Sequence, residues 1–416
     1  MIPEGWQSVP LADIAKSKIV YGIVQAGPHD PTGVPYLKSS DIGGQIDCSS
    51  LQRTAPEIHQ RFGRSTVVPG DIVISLRGNI GDTSIVPDEL AEANLTQGTA
   101  RISVAEDFDR DFVFFQLASF DVQRRIHSVT KGSTFVEITL EDLRKIEIPV
   151  PQCRRQQRYI ADLFLDWNRA IETVEALIAN VRAQKKALMQ QLLPQGTTPP
   201  KIRLPGFSGE WRETTIEDVA SVLVSNVDKK SVKGERPVRL CNYMDVYRSD
   251  QIVTEIDFMA ATATEAQIRK FGLKVGDVVI TKDSETPDDI AIPTIVQSTA
   301  PDLICGYHLA ILRPKDGTDG QFLKFYFEHP RTRHFFASRA NGATRFGLTV
   351  GAIETAPISL PSHAEQKEIG NVILAAETEI HRLNPILTAL CQEKAALMQQ
   401  LLTGKRRAKL PDSEVA

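Results

Sequence analysis

The sequence predicts an α+β fold in which two globular domains are separated by two long antiparallel coiled-coil helices, arranged as a pseudo-twofold internal repeat. Three observations predict it. Segments recur in order at one offset; short β-branched runs alternate with turn residues through the first part of each repeat; and two stretches of about 40 residues carry apolar side chains in heptads.

Ala187-Leu188-Met189-Gln190-Gln191-Leu192-Leu193 recurs letter for letter at Ala396–Leu402, an offset of 209. Trp6 with Asp13-Ile14-Ala15 matches Trp211 with Asp218-Val219-Ala220, and Gly70-Asp71-Ile72-Val73-Ile74 matches Gly276-Asp277-Val278-Val279-Ile280. Lys131-Gly132-Ser133-Thr134 parallels Asn341-Gly342-Ala343-Thr344, and Pro151 with Gln156-Gln157 parallels Pro361 with Gln366-Lys367, both at 210. Ordered matches at nearly one spacing, about half the chain, mark two copies of one unit.

The first part of each unit reads as strands and turns. Thr66-Val67-Val68 predicts a strand, Pro69-Gly70-Asp71 a turn and Ile72-Val73-Ile74 a second strand, with a short helix over Phe112 to Gln123. The second part reads as a long helix, 154–193 in one unit and 364–402 in the other. In the first helix Ile160, Trp167, Val174, Val181 and Leu188 recur every seven residues, with Phe164, Ile171, Ile178 and Leu192 four positions after. In the second, Ile369, Ala376, Leu383, Leu390 and Leu397 keep the same interval, with Ile373, Ile380, Leu387 and Leu401 four later. Lys185 and Lys394 interrupt the second row at equivalent places. Helices of roughly 60 Å are too long for a compact domain to cover, so the two stripes are expected to cover each other. Pro385 should kink the second helix.

These readings divide the chain into a first domain (1–152), a first helix and linker (153–200), a second domain (201–361), a second helix (362–404) and a tail (405–416). Pro194-Gln195-Gly196-Thr197-Thr198-Pro199-Pro200 forms the linker, and the tail from Gly404 is expected to fray.

The chain has 416 residues, 42% hydrophobic and 24% charged, enough for each half to bury a core. A net charge of −4, from 48 Lys+Arg against 52 Asp+Glu, argues taken alone against a partner chosen by bulk electrostatics. Five cysteines without close pairs suit reduced thiols in a cytoplasmic protein. The start Met1-Ile2-Pro3-Glu4-Gly5-Trp6 lacks a signal peptide's pattern, and no apolar run is long enough to span a membrane.

Chemistry-bearing motifs are scarce. No phosphate-binding or dinucleotide-binding glycine loop occurs. Asn384-Pro385 lacks the second proline and the aromatic of an amino-methyltransferase motif, and Glu365-Gln366-Lys367 opens a helix rather than closing a nuclease site. The eight histidines are scattered, and His329 and His334 are five apart rather than at the i,i+4 spacing of a helical metal pair. With no nucleophile, base or metal cluster, the chain reads as a binding protein without a catalytic or metal site.

The ordered set Gly5-Trp6, Tyr36-Leu37-Lys38-Ser39-Ser40-Asp41-Ile42, Gly70 to Gly81, Ile146 to Pro151 and Leu188 to Leu193 has counterparts in the second unit. These are Leu204-Pro205-Gly206-Phe207 with Glu210-Trp211, Ile358-Ser359-Leu360-Pro361, and Glu365-Gln366-Lys367-Glu368-Ile369. Together they resemble the specificity subunit of type I restriction–modification systems over essentially the whole chain. The resemblance implies two target-recognition domains, each reading half of a bipartite, asymmetric sequence in double-stranded DNA. It implies helices that set the spacer and dock two methyltransferase subunits, which carry S-adenosylmethionine, and separate restriction subunits that cleave. Pro385 and the run Cys153-Arg154-Arg155-Gln156-Gln157, without Glu-Gln, depart from the pattern. The alternatives are the recognition subunit of a related two-component restriction–methylation enzyme and a coiled-coil scaffold that binds no DNA.

Base edges are read by Arg, Lys, Asn, Gln, Ser and Thr, and phosphates by Lys, Arg or backbone N–H groups near glycines. In the first domain this selects Lys38, Arg77, Asn79, Gln97, Thr99, Arg101, Lys131 and Thr134. In the second, equivalent positions offer Arg239, Asn242, Tyr243, Lys282, Tyr307, His308, Arg339, Asn341, Thr344 and Arg345.

Overall fold

A computed structural model of the chain describes residues 3–132, 136–200 and 202–408. The chain divides into two compact units, Met1–Glu175 with Pro385–Ala416, and Ala176–Asn384. The first long helix, Arg154–Leu192, and the second, His363–Leu401, each contribute one part to either unit.

Both units are built around one strand. In the first, Ile72–Ser75 lies between antiparallel Thr83–Ile85 and Thr99–Ile102. In the second, Val278–Thr281 lies between antiparallel Pro293–Val296 and Leu309–Pro314. Side chains along a strand alternate between its faces, so each of these strands serves two cores. Ile72 and Ile74 join Trp6, Phe112 and Ile148, whereas Val73 joins Leu37, Val67 and Leu95. Val278 and Ile280 join Trp211, Phe322 and Ile358, whereas Val279 joins Leu240, Ile304 and Ile311.

The residues that lead into each central strand explain why Gly-Asp recurs. Asp71 donates its N–H to the Val68 carbonyl, and Asp277 donates to that of Lys274. The third turn position is Gly70 at φ +86° or Gly276 at +87°, a left-handed conformation that favours glycine. The aspartate carboxylates then accept the Val68 and Lys274 N–H groups at 3.1 and 2.8 Å. Opposite these turns, Trp6–Pro10 pairs with Glu147–Pro151, and Arg212–Thr215 with Pro357–Leu360. The Trp6–Phe112 and Trp211–Phe322 ring centroids are each 6.2 Å apart.

Where the helices meet the domains, the repeat is kept bond for bond. The Gln157 amide accepts the Asp109 N–H at 2.8 Å and donates to the Pro151 carbonyl at 2.9 Å. The Gln366 amide accepts the Asp319 N–H at 2.9 Å and donates to the Pro361 carbonyl at 3.0 Å. Gln157 therefore corresponds to Gln366, an offset of 209 rather than the 210 read from the sequence, and Gln156 stands where the second unit has Glu365. Glu365 is buried and takes both Arg203 nitrogens, at 2.6 and 3.0 Å.

Within each unit the two helices run antiparallel. In the first, Ile160 and Phe164 pack in one core with Leu397 and Leu401, and Lys394 donates to Asn168 at 2.6 Å. In the second, Met189 and Leu192 pack with Ile369 and Ile373, and Lys185 meets Glu377 at 2.8 Å. Every heptad position named above is buried or half-buried, with Trp167, Ile171, Val174, Val181 and Leu188 half-buried on the first helix. On the second, Ala376, Ile380, Leu387, Leu390 and Leu397 are half-buried, and Leu383 is buried.

Three local expectations are corrected. Thr66–Val68 is not a strand: only Val67 makes a bridge, to Ala93, because Pro69 begins the turn immediately after. The expected helix over Phe112–Gln123 is two helices, Arg110–Leu117 and Phe120–Ser128, because Ser119 accepts the Val122 N–H and caps a new start. The second long helix, expected to kink at Pro385, spans His363–Leu401 through that exposed residue, which removes one N–H donor. The start of the tail is held: Gly404 is buried against Pro3 and Trp6, and Arg407 meets Glu4 at 3.1 Å, while 409–416 lie outside the described residues. No helix among the described residues is long and apolar enough to cross a membrane.

Candidate nucleic-acid interface

Past its central strand, each unit opens a cleft lined by loops. Its base is the same in both. In the first unit Leu76 donates its N–H to Gly98 and accepts that of Ile138; in the second Lys282 donates to His308 and accepts that of Leu348. Beside these positions Lys131 and Glu137 exchange two backbone bonds, as do Asn341 and Gly347.

The second unit's cleft has a volume of about 550 Å³ and gathers Tyr243, Tyr307, His308 and Arg345. Tyr243 and Tyr247 are four apart on the helix Tyr243–Arg248, so their rings stack at 5.6 Å. Tyr243 shares a hydrogen bond with Ser284 at 3.2 Å, and Tyr247 donates to Asp289 at 3.2 Å. Tyr307 is 45% exposed, and its ring lies 3.9 Å from that of His308. Arg345 lies against the His308 ring, one terminal nitrogen 2.8 Å from Nε2 and 3.4 Å from Nδ1. His308 Nδ1 lies 2.8 Å from an Asp283 carboxylate oxygen, which can only accept from it. Lys282 reaches the second Asp283 oxygen at 2.6 Å. Burial pushes the Asp283 carboxyl up, but Lys282 and His308 outweigh it and hold it below the usual carboxylate range.

The first unit's cleft is smaller, about 180 Å³, and brings together Arg77 and Gln97 with Tyr21 and Glu137. Arg77 is paired to Glu137 through its side chain and bridged to it through its backbone. Lys38 ends the strand Val34–Leu37 half-buried, its N–H on Asp41 at 2.8 Å, and Asn79 is exposed on the loop beyond Arg77. Lys131 remains at the surface, with its ammonium on Asp142 at 2.7 Å. Thr134 lies outside the described residues.

Three expected contacts are committed elsewhere, and this corrects their selection. Thr99 is fully buried, and its hydroxyl accepts the Thr96 N–H at 3.2 Å and donates to the Thr96 carbonyl at 3.1 Å. Arg101 ties Thr66 to Ser17. Arg239 makes two bonds to Asp302, at 2.9 and 3.1 Å, and a third to the Thr254 carbonyl. The two arginines satisfy partners that are remote in sequence. Asn242 starts the Tyr243–Arg248 helix, its N–H on Asp245 at 2.7 Å. Arg339 lies over the Phe335 ring at 3.5 Å, Asn341 is held in the backbone bridge to Gly347, and Thr344 is exposed.

Residue type alone did not select Tyr247, Asp283, Glu285 or Asp289, all of which line the second cleft. The four-residue step from Tyr243 to Tyr247 was a usable signal for one of them. Asp283, Glu285 and Asp289 fall outside a choice of Arg, Lys, Asn, Gln, Ser and Thr. Among the described residues no group of three or more His, Cys, Asp or Glu could hold a metal ion.

Comparison with known proteins follows from this geometry. The family described as "Type I restriction modification DNA specificity domain" matches residues 3–183. The EcoBI specificity subunit of a type I restriction enzyme from Escherichia coli is 27% identical over 243 residues, 57% of this chain and 49% of that protein. The chain therefore spans about half the length of that relative. The MjaVIII specificity subunit from Methanocaldococcus jannaschii is 21% identical over 98% of this chain and 94% of its own. The crystal structure of a type I restriction–modification S subunit from M. genitalium has the same fold. It superposes with a TM-score of 0.60 at 15% identity, covering 98% of this chain and 97% of that one.

Proposed function

We propose, from the match of residues 3–183 to the type I restriction modification DNA specificity domain, that the chain is the specificity subunit of a type I restriction–modification enzyme, a recognition component without a catalytic site of its own. Each unit reads one half of a bipartite, asymmetric site in double-stranded DNA. The two helices set the interval between halves and dock two methyltransferase subunits, which carry S-adenosylmethionine, while restriction subunits complete the enzyme. A cytoplasmic location follows from that role.

The observation that carries this reading is the pairing of identical frames with unlike clefts. The backbone contacts under Leu76 and Lys282 are the same, yet one cleft presents Arg77 and Gln97 and the other Tyr243, Tyr307, His308 and Arg345. One scaffold with two different reading surfaces suits a site whose halves differ in sequence. The net charge of −4 is no obstacle, since binding depends on local faces and on partners that close around the duplex.

The test is to express the chain with its methyltransferase in a host free of adenine methylation and map methylated positions by long-read sequencing. A two-part motif with a fixed gap is expected. Removing one register-preserving heptad from each helix should change the gap and leave both half-sequences intact. Methylation without a two-part motif, or a changed half-sequence in the shortened variant, would overturn the reading. DNA retention without sequence dependence would favour a scaffold.

A further inference from the structure

Resting on that reading, we propose that the cleft of the second unit reads a G·C base pair, with Arg345 as the donor to guanine and Glu285 as the acceptor from cytosine.

The argument begins with what is already spent in the cleft. Asp283 is held by Lys282 and His308, and Asp289 accepts from Tyr247 at 3.2 Å and Thr286 at 2.9 Å. Glu285 is different. It is exposed in the cleft and makes no hydrogen bond or ion pair to the described residues. A free carboxylate on a surface that meets phosphates is repelled unless a base edge satisfies it. Carboxylates only accept. Adenine offers a donor beside the N7 acceptor, which suits an amide and opposes a carboxylate, whereas cytosine offers the N4 amino group as donor. The chemistry of Glu285 therefore selects cytosine.

Arg345 supplies the complementary half. One of its terminal nitrogens is fixed on His308 Nε2 at 2.8 Å, and its remaining N–H groups have no partner among the described residues. His308 is itself locked: its backbone sits at φ +73°, uncommon for a residue with a side chain, and its second nitrogen is on Asp283. Asp283 and His308 thus position a guanidinium whose free donors match guanine O6 and N7. Guanine and cytosine are the two members of one base pair, so a donor and an acceptor sharing one cleft are jointly satisfied by it. In the first unit, two residues beyond the equivalent bridge, Asn79 replaces Glu285 and carries the donor–acceptor pattern that suits adenine. The two clefts are then built for different bases.

The experiment uses the full chain with its methyltransferase and long-read mapping of methylated sites for Glu285→Ala, Arg345→Ala and His308→Ala. All three residues lie outside the main cores, and Glu285 and Arg345 are exposed, so folding is not at stake for those two. Glu285→Ala and Arg345→Ala are expected to relax the same single position, a G·C pair in one half of the motif. Methylation of sites altered there should rise by at least about fivefold relative to the intact site. His308→Ala should relax that position more weakly, which a merely structural role would not do. A motif unchanged in all variants, relaxation at an A·T pair, or relaxation of two unrelated positions would overturn the proposal while leaving the bipartite reading in place. Loss of the two-part motif in the unsubstituted complex would instead remove the reading it rests on.

Discussion

In the first unit Lys394, on the second helix, meets the neutral Asn168 at 2.6 Å and lies 5.9 Å from the Phe115 ring. At the equivalent place in the second unit, Lys185 meets Glu377 and Glu328, and Lys324 joins both carboxylates. Burial pulls both heptad lysines down. Beside an amide Lys394 stays below its ordinary value, whereas Glu328 and Glu377 outweigh burial and hold Lys185 above it. An aromatic contact is common to both, since Lys185 lies 5.4 Å from the Phe325 ring, but the polar partner differs, an amide in one unit and a buried ionic network in the other. Backbone frames and the glutamine bonds repeat, while the polar interior and the cleft do not. What repeats is what makes the unit fold; what varies is free to be adapted to separate tasks.

Substitutions can break this comparison at graded cost. The largest effect is expected for Glu377→Ala, which leaves two buried cations, Lys324 and Lys185, with Glu328 alone. A loss of about 3–5 kcal/mol is expected, against about 1 kcal/mol for Asn168→Ala, both read by chemical denaturation. Equal losses would mean that the network is not the buried ionic device described.

Gln157→Ala and Gln366→Ala sharpen the other side of the comparison. Each leaves a buried N–H and a carbonyl unmet, so each should cost about 2 kcal/mol. The two losses should agree to within about 1 kcal/mol if the frames are equivalent.

A smaller, pH-dependent difference separates the helix starts. Ser119 caps Phe120–Ser128, and at the same place His329 Nδ1 accepts the Arg331 N–H at 3.2 Å. Burial, with Arg331 adding to it, lowers the His329 pKa below the ordinary histidine value. The folded state therefore binds this proton less readily than the unfolded state. Its contribution is fully present above the unfolded pKa, about 6.5, and is lost as pH falls from there through the folded value. Protonated His329 cannot accept, so about 1 kcal/mol of capping should disappear. Denaturation at pH 8 and pH 5 should show this loss, and His329→Ser should abolish it.

The smallest effect is expected at Arg77. Its guanidinium is already paired to Glu137, so Arg77→Ala should lower the slope of DNA affinity against salt by no more than about 0.9. Titrating binding of the methyltransferase complex across salt concentrations measures that slope. Lys282→Ala should behave similarly, because Asp283 shares its charge.

The long helices and the doubled frame were legible because they rest on local periodicity and on residues that recur in order. Ile72, Val73 and Ile74 already show the alternation that serves two cores. The cleft was legible only in part: Tyr243, Tyr307, His308 and Arg345 came from positions equivalent to the first domain's, yet the same reasoning offered Thr99, Arg101 and Arg239. Their partners lie 35 and 63 residues away for Arg101–Thr66 and Arg239–Asp302, and nothing in a linear pattern marks such pairs. The buried network was hidden for the same reason. Lys185 and Lys394 look alike in the heptad, and only the fold sets carboxylates beside one and an amide beside the other.

The glutamine that ties each domain to the start of its helix has a mechanical consequence. With Gln157 bonded to both Asp109 and Pro151, the domain cannot swivel on the helix; it must follow the helix as a hand follows a wrist. Each residue inserted beyond the latch would advance the far end of that helix by about 1.5 Å and turn it by roughly 100°. Small insertions therefore cost aim before they cost distance. About seven residues, two turns, nearly restore the original facing, so the helix acts as a ratchet with permitted stops rather than as a sliding scale.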